Sequence, residues 1–206
     1  VKRKGKKKKC GQGKTAPVCP NASSFTGRLT PESACSVLAN LQPEGAIIVE
    51  EAVTSGGAYY AASMNSPAHT LLSVTGGSIG QGIPCAVGAA LACPDRPVIN
   101  LQADGSAMYS LQGLWTQARE GLNVTTLICS NRSYEILRLE MKRGSHFPMG
   151  ECSRTLTSLE YPSLEWARLS SGMGVPGVCV TTVEDLAIEL KKAIEEPGPH
   201  LIEMIL

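Results

Sequence analysis

The 206 residues are 43% hydrophobic, 18% charged and 4% aromatic, with 21 glycines and 13 prolines. That is chain enough for one domain with a substantial core, and the balance excludes wholesale disorder, a collagen-like repeat and a disulfide mini-protein. The formal net charge of +1 hides an asymmetry: Lys2, Arg3, Lys4, Lys6, Lys7, Lys8, Lys9 and Lys14 hold 8 of the 19 positive charges, leaving 11 positive against 18 negative side chains, a net of −7, over the rest. An acidic body behind a basic leader is not a nucleic-acid-binding domain, and a run of like charges reads as a solvated tail. No stretch approaches the roughly 18 apolar residues of a membrane span, and no apolar segment follows the basic start as in a secretory signal.

Residues 1–29 carry Lys, Gly, Pro, Ser and Thr without periodicity and read as a basic tail or linker, with the domain occupying 30–206. Thr30-Pro31-Glu32-Ser33 predicts a helix start, with Thr as N-cap, Pro in the first turn and an acid beside it, and the helix ends near Leu41. Ala46 to Val49 is a short buried strand, and Glu50 and Glu51 open a polar loop that runs to Gly57. Thr70 to Val74 is a strand, Gly76 to Gly82 a glycine-rich loop and Ile83 to Cys93 a helix of small residues. Pro97 to Leu101 is a strand, and Ser110 to Glu120 a helix with Leu111, Leu114, Trp115 and Ala118 on one face. Val124 to Cys129 is a strand, followed by an irregular stretch. Ser163 to Ser170 reads helical, Gly177 to Val180 as a strand, Val183 to Ile194 as a helix and His200 to Leu206 as a last strand. Several strands are continuously apolar, as expected for a mostly parallel sheet flanked by helices on both faces, an α/β fold.

The eight cysteines (10, 19, 35, 85, 93, 129, 152 and 179) form no CxxC pair, and His69, His146 and His200 have no metal-ligand spacing. Reduced core thiols in a cytoplasmic protein are the plain reading. Asn21-Ala-Ser and Asn123-Val-Thr match a glycosylation pattern that no export signal supports. Gly13-Lys14-Thr15 imitates the end of a phosphate loop, but Lys8 fills the first glycine position and no strand precedes it.

In an open parallel sheet, ligands bind beyond the carboxyl ends of the strands. Four polar loops lie there: Glu50 to Gly57, Gly76 to Gly82, Asp104 to Ser106 and Asn131 to Tyr134. Asp104 and Asn131 each end an apolar strand, with a single helix between the strands. A right-handed crossover makes such strands parallel, so both side chains emerge at one edge. A carboxylate and a carboxamide are hard oxygen donors suited to Mg²⁺, which completes its shell with water, carbonyls and phosphate oxygens. The plainer alternative is that Asp104 caps a helix and Asn131 shapes a turn. Gly80-Gln81-Gly82 begins a dinucleotide fingerprint, but Cys85 stands at the third glycine and no acid ends the next strand in the ribose-binding role.

Asp104 followed by Gly105-Ser106-Ala107-Met108-Tyr109-Ser110, with Asn131 27 residues after Asp104, resembles the cofactor signature of thiamine-diphosphate-dependent enzymes. The stretch from Gly76 to about Leu139 resembles the C-terminal, diphosphate-binding domain of the acetolactate synthase, benzoylformate decarboxylase and pyruvate decarboxylase group, and the likeness runs from about Pro31 to the C-terminus. The resemblance implies thiamine diphosphate and Mg²⁺ as cofactors. Asp104, Asn131 and the Ser133 carbonyl would hold the metal. Gly105, Ser106, Thr54 and Ser55 would contact the diphosphate. Gly77 would offer backbone to the aminopyrimidine, with Ser78 also in the cofactor site and Ile79 the aliphatic wedge under the bent cofactor. Asn131, Ser133 and Tyr134 would complete the cofactor site, and Tyr134, Ile136 and Glu140 would border the substrate. Ala103 stands where the family has Gly, and Ser130 where it has a first Asn. A positive φ at position 103 would cost about 1 kcal/mol with Ala there.

The implied activity is that of a 2-oxo acid decarboxylase or carboligase, with a small 2-oxo acid as substrate. The family's activating Glu sits in a separate pyrimidine-binding domain, usually of a partner subunit, and Glu50 and Glu51 belong to the wrong domain for that role. The chain thus reads as part of a larger homo- or hetero-oligomeric enzyme with little turnover alone. Two other readings stand beside it: a non-catalytic Mg-diphosphate or nucleotide-binding module, and an NAD(P)-dependent oxidoreductase.

Overall fold

A computed structural model of the chain describes residues 25–144 and 148–206. Its first helix forms where the cap predicts it. α1 (Pro31–Leu41) starts behind Thr30, whose hydroxyl accepts from the Ser33 N–H at 3.2 Å, while the Ser33 hydroxyl accepts from the Thr30 N–H at 2.8 Å. This is a capping box with Ser in the place usually taken by Glu or Gln.

The strands β1 (Ile47–Glu51), β2 (Thr70–Ser73), β3 (Val98–Ala103), β4 (Val124–Ser130), β5 (Gly177–Val180) and β6 (His200–Ile205) form one sheet in the order β2-β1-β3-β4-β6-β5. Every pairing is parallel. Between them lie α2 (Gly57–Ala62), α3 (Gly82–Ala92), α4 (Asp104–Ala107), α5 (Gly113–Arg119), α6 (Glu135–Gly144), α7 (Glu151–Leu156), α8 (Trp166–Gly172) and α9 (Val183–Glu195). On one face α1 and α9 pack over Ile48, Ile99, Leu101, Leu127 and Ile202. On the other, α3 covers Ile47, Val49, Val98 and Val124, and α5 and α8 cover Ile128 and Leu201. Because both faces are buried, the strands are apolar at successive positions rather than alternate ones.

The chain runs outward from β1 to β2, then returns past β1 to β3 and continues the other way. The direction of strand order therefore reverses between β1 and β3, and the crevice beyond their carboxyl ends is where such sheets bind ligands.

Several elements depart from the sequence expectation. β1 extends through Glu50 and Glu51, which are buried strand residues rather than the start of a polar loop. The helix expected over Ser110 to Glu120 begins only at Gly113, after a turn closed by Ser110 N–H on the Ala107 carbonyl and Gly113 N–H on the Ser110 carbonyl. This entry turns Leu114 and Gln117 inward and leaves Trp115 outside, its ring 4.8 Å from the Arg119 guanidinium carbon. The stretch read as irregular after Asn131 contains α6 and α7, and the helix expected over Ser163 to Ser170 is α8, displaced toward the C-terminus.

Residues 1–24, most of the expected basic tail, lie outside the described residues, as do Cys10, Cys19, Asn21, the Gly13-Lys14-Thr15 motif and His146. The end of that stretch is folded: Leu29 is buried, Phe25 packs on the α1–α9 core, and the Gly27 carbonyl accepts the Val183 N–H at 3.2 Å. Among the described residues no helix is long and apolar enough to cross a membrane.

Candidate cofactor-binding site at the carboxyl edge of the sheet

β3 and β4 lie side by side with Ala103 opposite Cys129, so Asp104 and Asn131 leave the sheet together at one edge. Asp104 is 2% exposed. Its Oδ1 accepts the Gly105 N–H at 2.8 Å, and its Oδ2 accepts the Arg132 N–H at 2.7 Å, which ties the two strand ends into one turn. Arg132 reaches this position with φ +54°, a left-handed conformation that wraps the backbone around the carboxylate. Burial, unrelieved by any cation in an ion pair among the described residues, raises the Asp104 carboxyl to about 6.

The Asn131 Oδ1 accepts the Ser133 N–H at 3.0 Å and the Ser133 hydroxyl at 3.3 Å, so the Asn131 side chain is held in the turn by Ser133. In the same turn the Arg132 carbonyl is taken by the Leu159 N–H and the Tyr134 carbonyl by Leu137 and Arg138, whereas the Ser133 carbonyl receives none of these bonds. One buried carboxylate, one carboxamide and one free carbonyl make a hard-oxygen set matched to Mg²⁺. Among the described residues no group of three or more His, Cys, Asp or Glu is placed to hold a metal, so a zinc-type centre finds no ligands there.

Close contacts knit this turn together and join it to the glycine loop. A Cβ on Gly105 would stand 2.5 Å from the Tyr134 ring, so the ring lies flush on a residue that has to be glycine. Burial raises the Tyr134 phenol, with Tyr109 and Asp104 adding to the shift. A Cβ on Gly80 would stand 2.7 Å from the Tyr109 Cβ, so the glycine loop packs on the segment that follows Asp104. Gly76 and Gly77 hold φ +62° and +71°, and within this loop Gly77 and Ser78 are exposed and Ile79 half-buried. In the loop after β1, the Glu50 Oε1 accepts the Val53 N–H at 3.1 Å, Thr54 is half-buried and Ser55 buried. The Tyr60 hydroxyl then links Glu50, at 3.2 Å, to Ser73 at the end of β2, at 2.8 Å.

Sequence reasoning missed Glu51. It is fully buried, and its carboxylate takes the N–H groups of Gly80 (2.5 Å), Gln81 (3.2 Å) and Gly82 (2.7 Å) together with Gln102 Nε2 (2.7 Å). The N-terminus of α3, where a dinucleotide would seat its pyrophosphate, is therefore filled by the protein's own carboxylate. This removes the ground for an NAD(P)-dependent reading. The available signal was an acid ending an apolar run in register with a strand-end Gln, which is weak without the sheet order.

The expected substrate-side residues divide. Tyr134 belongs to the site, whereas Ile136 is exposed on α6 and Glu140 pairs with Arg143. A cavity of about 520 Å³ opens instead on the other side of α6, lined by Glu135, Arg138, Lys142, Arg154 and Ser158 among others. Of the two departures from the family pattern, Ala103 has φ −86°, so it bears no left-handed strain, and Ser130 is buried at the end of β4.

The family model described as "Thiamine pyrophosphate enzyme, C-terminal TPP binding domain" matches residues 53–204. Over 181 residues the chain is 49% identical to a Mycobacterium tuberculosis protein named "Putative acetolactate synthase large subunit IlvX", covering 87% of this chain and 35% of that protein. It is 32% identical over 194 residues to benzoylformate decarboxylase of Pseudomonas aeruginosa, covering 91% of this chain and 34% of the relative. The solved Rhodococcus jostii RHA1 thiamine diphosphate-dependent 4-hydroxybenzoylformate decarboxylase superposes with a TM-score of 0.77 at 31% identity, over 95% of this chain and 35% of that one. The chain spans about a third of the length of these relatives. Nothing in the fold or among them supports a nucleotide module or an oxidoreductase. The carboxyl-edge site, the fold and the relatives agree: this chain belongs to the thiamine pyrophosphate enzymes, as their C-terminal TPP binding domain.

Proposed function

We propose that this chain is the Mg²⁺–thiamine diphosphate-holding part of a 2-oxo acid decarboxylase or carboligase. The observation that carries the reading is the juxtaposition of Asp104 and Asn131 on adjacent parallel strands, joined through the Arg132 N–H. Asp104, Asn131 and the Ser133 carbonyl hold Mg²⁺, which neutralises a carboxylate that burial otherwise leaves uncompensated. Gly105 and Ser106, with Thr54 and Ser55 from the loop after β1, receive the diphosphate, and the missing side chain at Gly105 lets an anion approach the backbone. Gly77, Ser78 and Ile79 support the ring system, and Tyr134 closes the site over Gly105. When bound, thiamine diphosphate supplies a thiazolium carbon that adds to the ketone of a 2-oxo acid and accepts the electron pair left by departing CO₂. The described residues bind, orient and exclude water, and activation of the pyrimidine is not among the roles assigned to them.

That last role belongs to a Glu of a pyrimidine-binding domain, in the same polypeptide or a partner subunit of an oligomer. Ile136 and Glu140 face that partner and border the substrate. The six free cysteines among the described residues suit a reducing compartment, and on that ground we assign the cytoplasm.

Calorimetric titration with thiamine diphosphate tests the reading. Binding should require Mg²⁺ and vanish in Asp104→Ala, with no binding of NAD, NADP, ATP or ADP. Binding that ignores Mg²⁺ or survives the substitution contradicts it.

A further inference from the structure

We propose that Glu51 is a positioning residue for the ring half of the cofactor: its carboxylate fixes the Gly76–Gly82 loop, and through it Ile79, in the shape that half requires. The inference rests on the thiamine diphosphate reading above.

A buried carboxylate without a cation is costly unless N–H dipoles compensate it. Glu51 has four such donors, two on each oxygen, and three of them are consecutive backbone N–H groups at the start of α3. A negative charge at the N-terminus of this 11-residue helix is also favoured by the helix dipole. The clamp is needed because the loop before it is soft. Gly76, Gly77 and Gly80 all sit at positive φ, where glycine is free in the unfolded chain and costly to order. Space is tight too: a Cβ on Gly82 would stand 2.6 Å from the Glu51 Oε2.

The diphosphate half is held elsewhere. The bonds at Asp104 and Asn131 come from Gly105, Arg132 and Ser133, on the ends of β3 and β4, and none involves Glu51. The metal-side turn and the glycine loop are thus held by different hydrogen bonds, although Gly80 packs on Tyr109, and a defect at Glu51 should weaken the ring half more than the diphosphate half. A residue with a general stabilising role would weaken both together.

The test titrates the chain by calorimetry with two probes, Mg–thiamine diphosphate and Mg–pyrophosphate. Glu51→Gln places an amide NH₂ against N–H donors and opens the clamp. The expected result is about a tenfold loss of affinity for thiamine diphosphate, with pyrophosphate affinity unchanged within about twofold. Gln102→Leu removes the one donor outside the loop and should give the same split at smaller size, which covers the case in which Glu51→Gln does not fold. Equal loss for both probes, or no loss for either, in the folded variants overturns the role of Glu51. Failure of the unaltered chain to bind thiamine diphosphate overturns the cofactor reading instead.

Discussion

At Asp104 a carboxylate sits almost wholly out of water, with backbone N–H groups as its hydrogen-bond donors and its carboxyl raised from 3.8 to about 6. A carboxyl whose folded value is raised stabilises the fold fully below its unfolded value, and that stability is lost as pH rises through the folded one. For Asp104 the window runs from about pH 4 to 6, and about 3 kcal/mol is at stake. Burial raises the Glu50 and Glu203 carboxyls too, so they act in the same direction. Without Mg²⁺ the chain should therefore melt at a higher temperature at pH 5 than at pH 7.5. Mg²⁺ with thiamine diphosphate should close that gap at pH 7.5 and do little at pH 5, where a proton competes for Asp104. Scanning calorimetry across this range decides, and a flat profile with no metal effect counts against Asp104 as a ligand.

Two other residues carry local predictions. Gly105→Ala drives a methyl into the Tyr134 ring and should cost about 1–3 kcal/mol by denaturant unfolding. Removing the ring in Gly105→Ala/Tyr134→Ala should recover part of that loss as a coupling energy. Arg132→Val puts a β-branched residue at φ +54° and should cost about 1–3 kcal/mol, whereas Arg132→Gly should be close to neutral.

Among the elements, caps and apolar runs were the legible part. Thr30 with Ser33 announces α1, and Thr30→Ala should lower stability by about 1 kcal/mol in thermal unfolding. Strands buried on both faces read directly as apolar runs, and the spacing from Asp104 to Asn131 survives as a pair of strand ends. What hid from the sequence depends on partners distant in the chain. Glu50 and Glu51 look like the start of a solvated loop because the N–H groups that hold the Glu51 carboxylate lie about thirty residues on. Glu203 is similar: in the middle of β6, it takes the Ala167 N–H at 3.1 Å and so caps α8, which lies 36 residues back in the chain. α6 escaped for the opposite reason, since it buries none of its residues and its charged face is laced by Glu135, Arg138 and Lys142.

At the scale of the whole molecule, the sheet reverses its strand order between β1 and β3 and brings four loops to its carboxyl edge, with Asp104 and Asn131 on one side and the glycine loop on the other. On the proposed function that edge is half of an active site, and the chain spans about a third of its relatives. On this account the chain alone releases no CO₂ from pyruvate or benzoylformate above background. Turnover should appear once a pyrimidine-binding domain carrying the activating Glu is supplied. A coupled assay for CO₂ release measures both, and steady-state turnover by the chain alone would contradict the division of labour.

The central claim is that Asp104, Asn131 and Ser133 share one cation at the edge of the sheet. A crystal structure grown with thiamine diphosphate and Mn²⁺, read by the anomalous signal of manganese, locates that ion directly. The account predicts a single peak bonded to the Asp104 carboxylate, the Asn131 amide oxygen and the Ser133 carbonyl, with diphosphate oxygens completing its shell. An ordered cofactor whose ion lies elsewhere, or a manganese peak with none of these three as ligand, would contradict it.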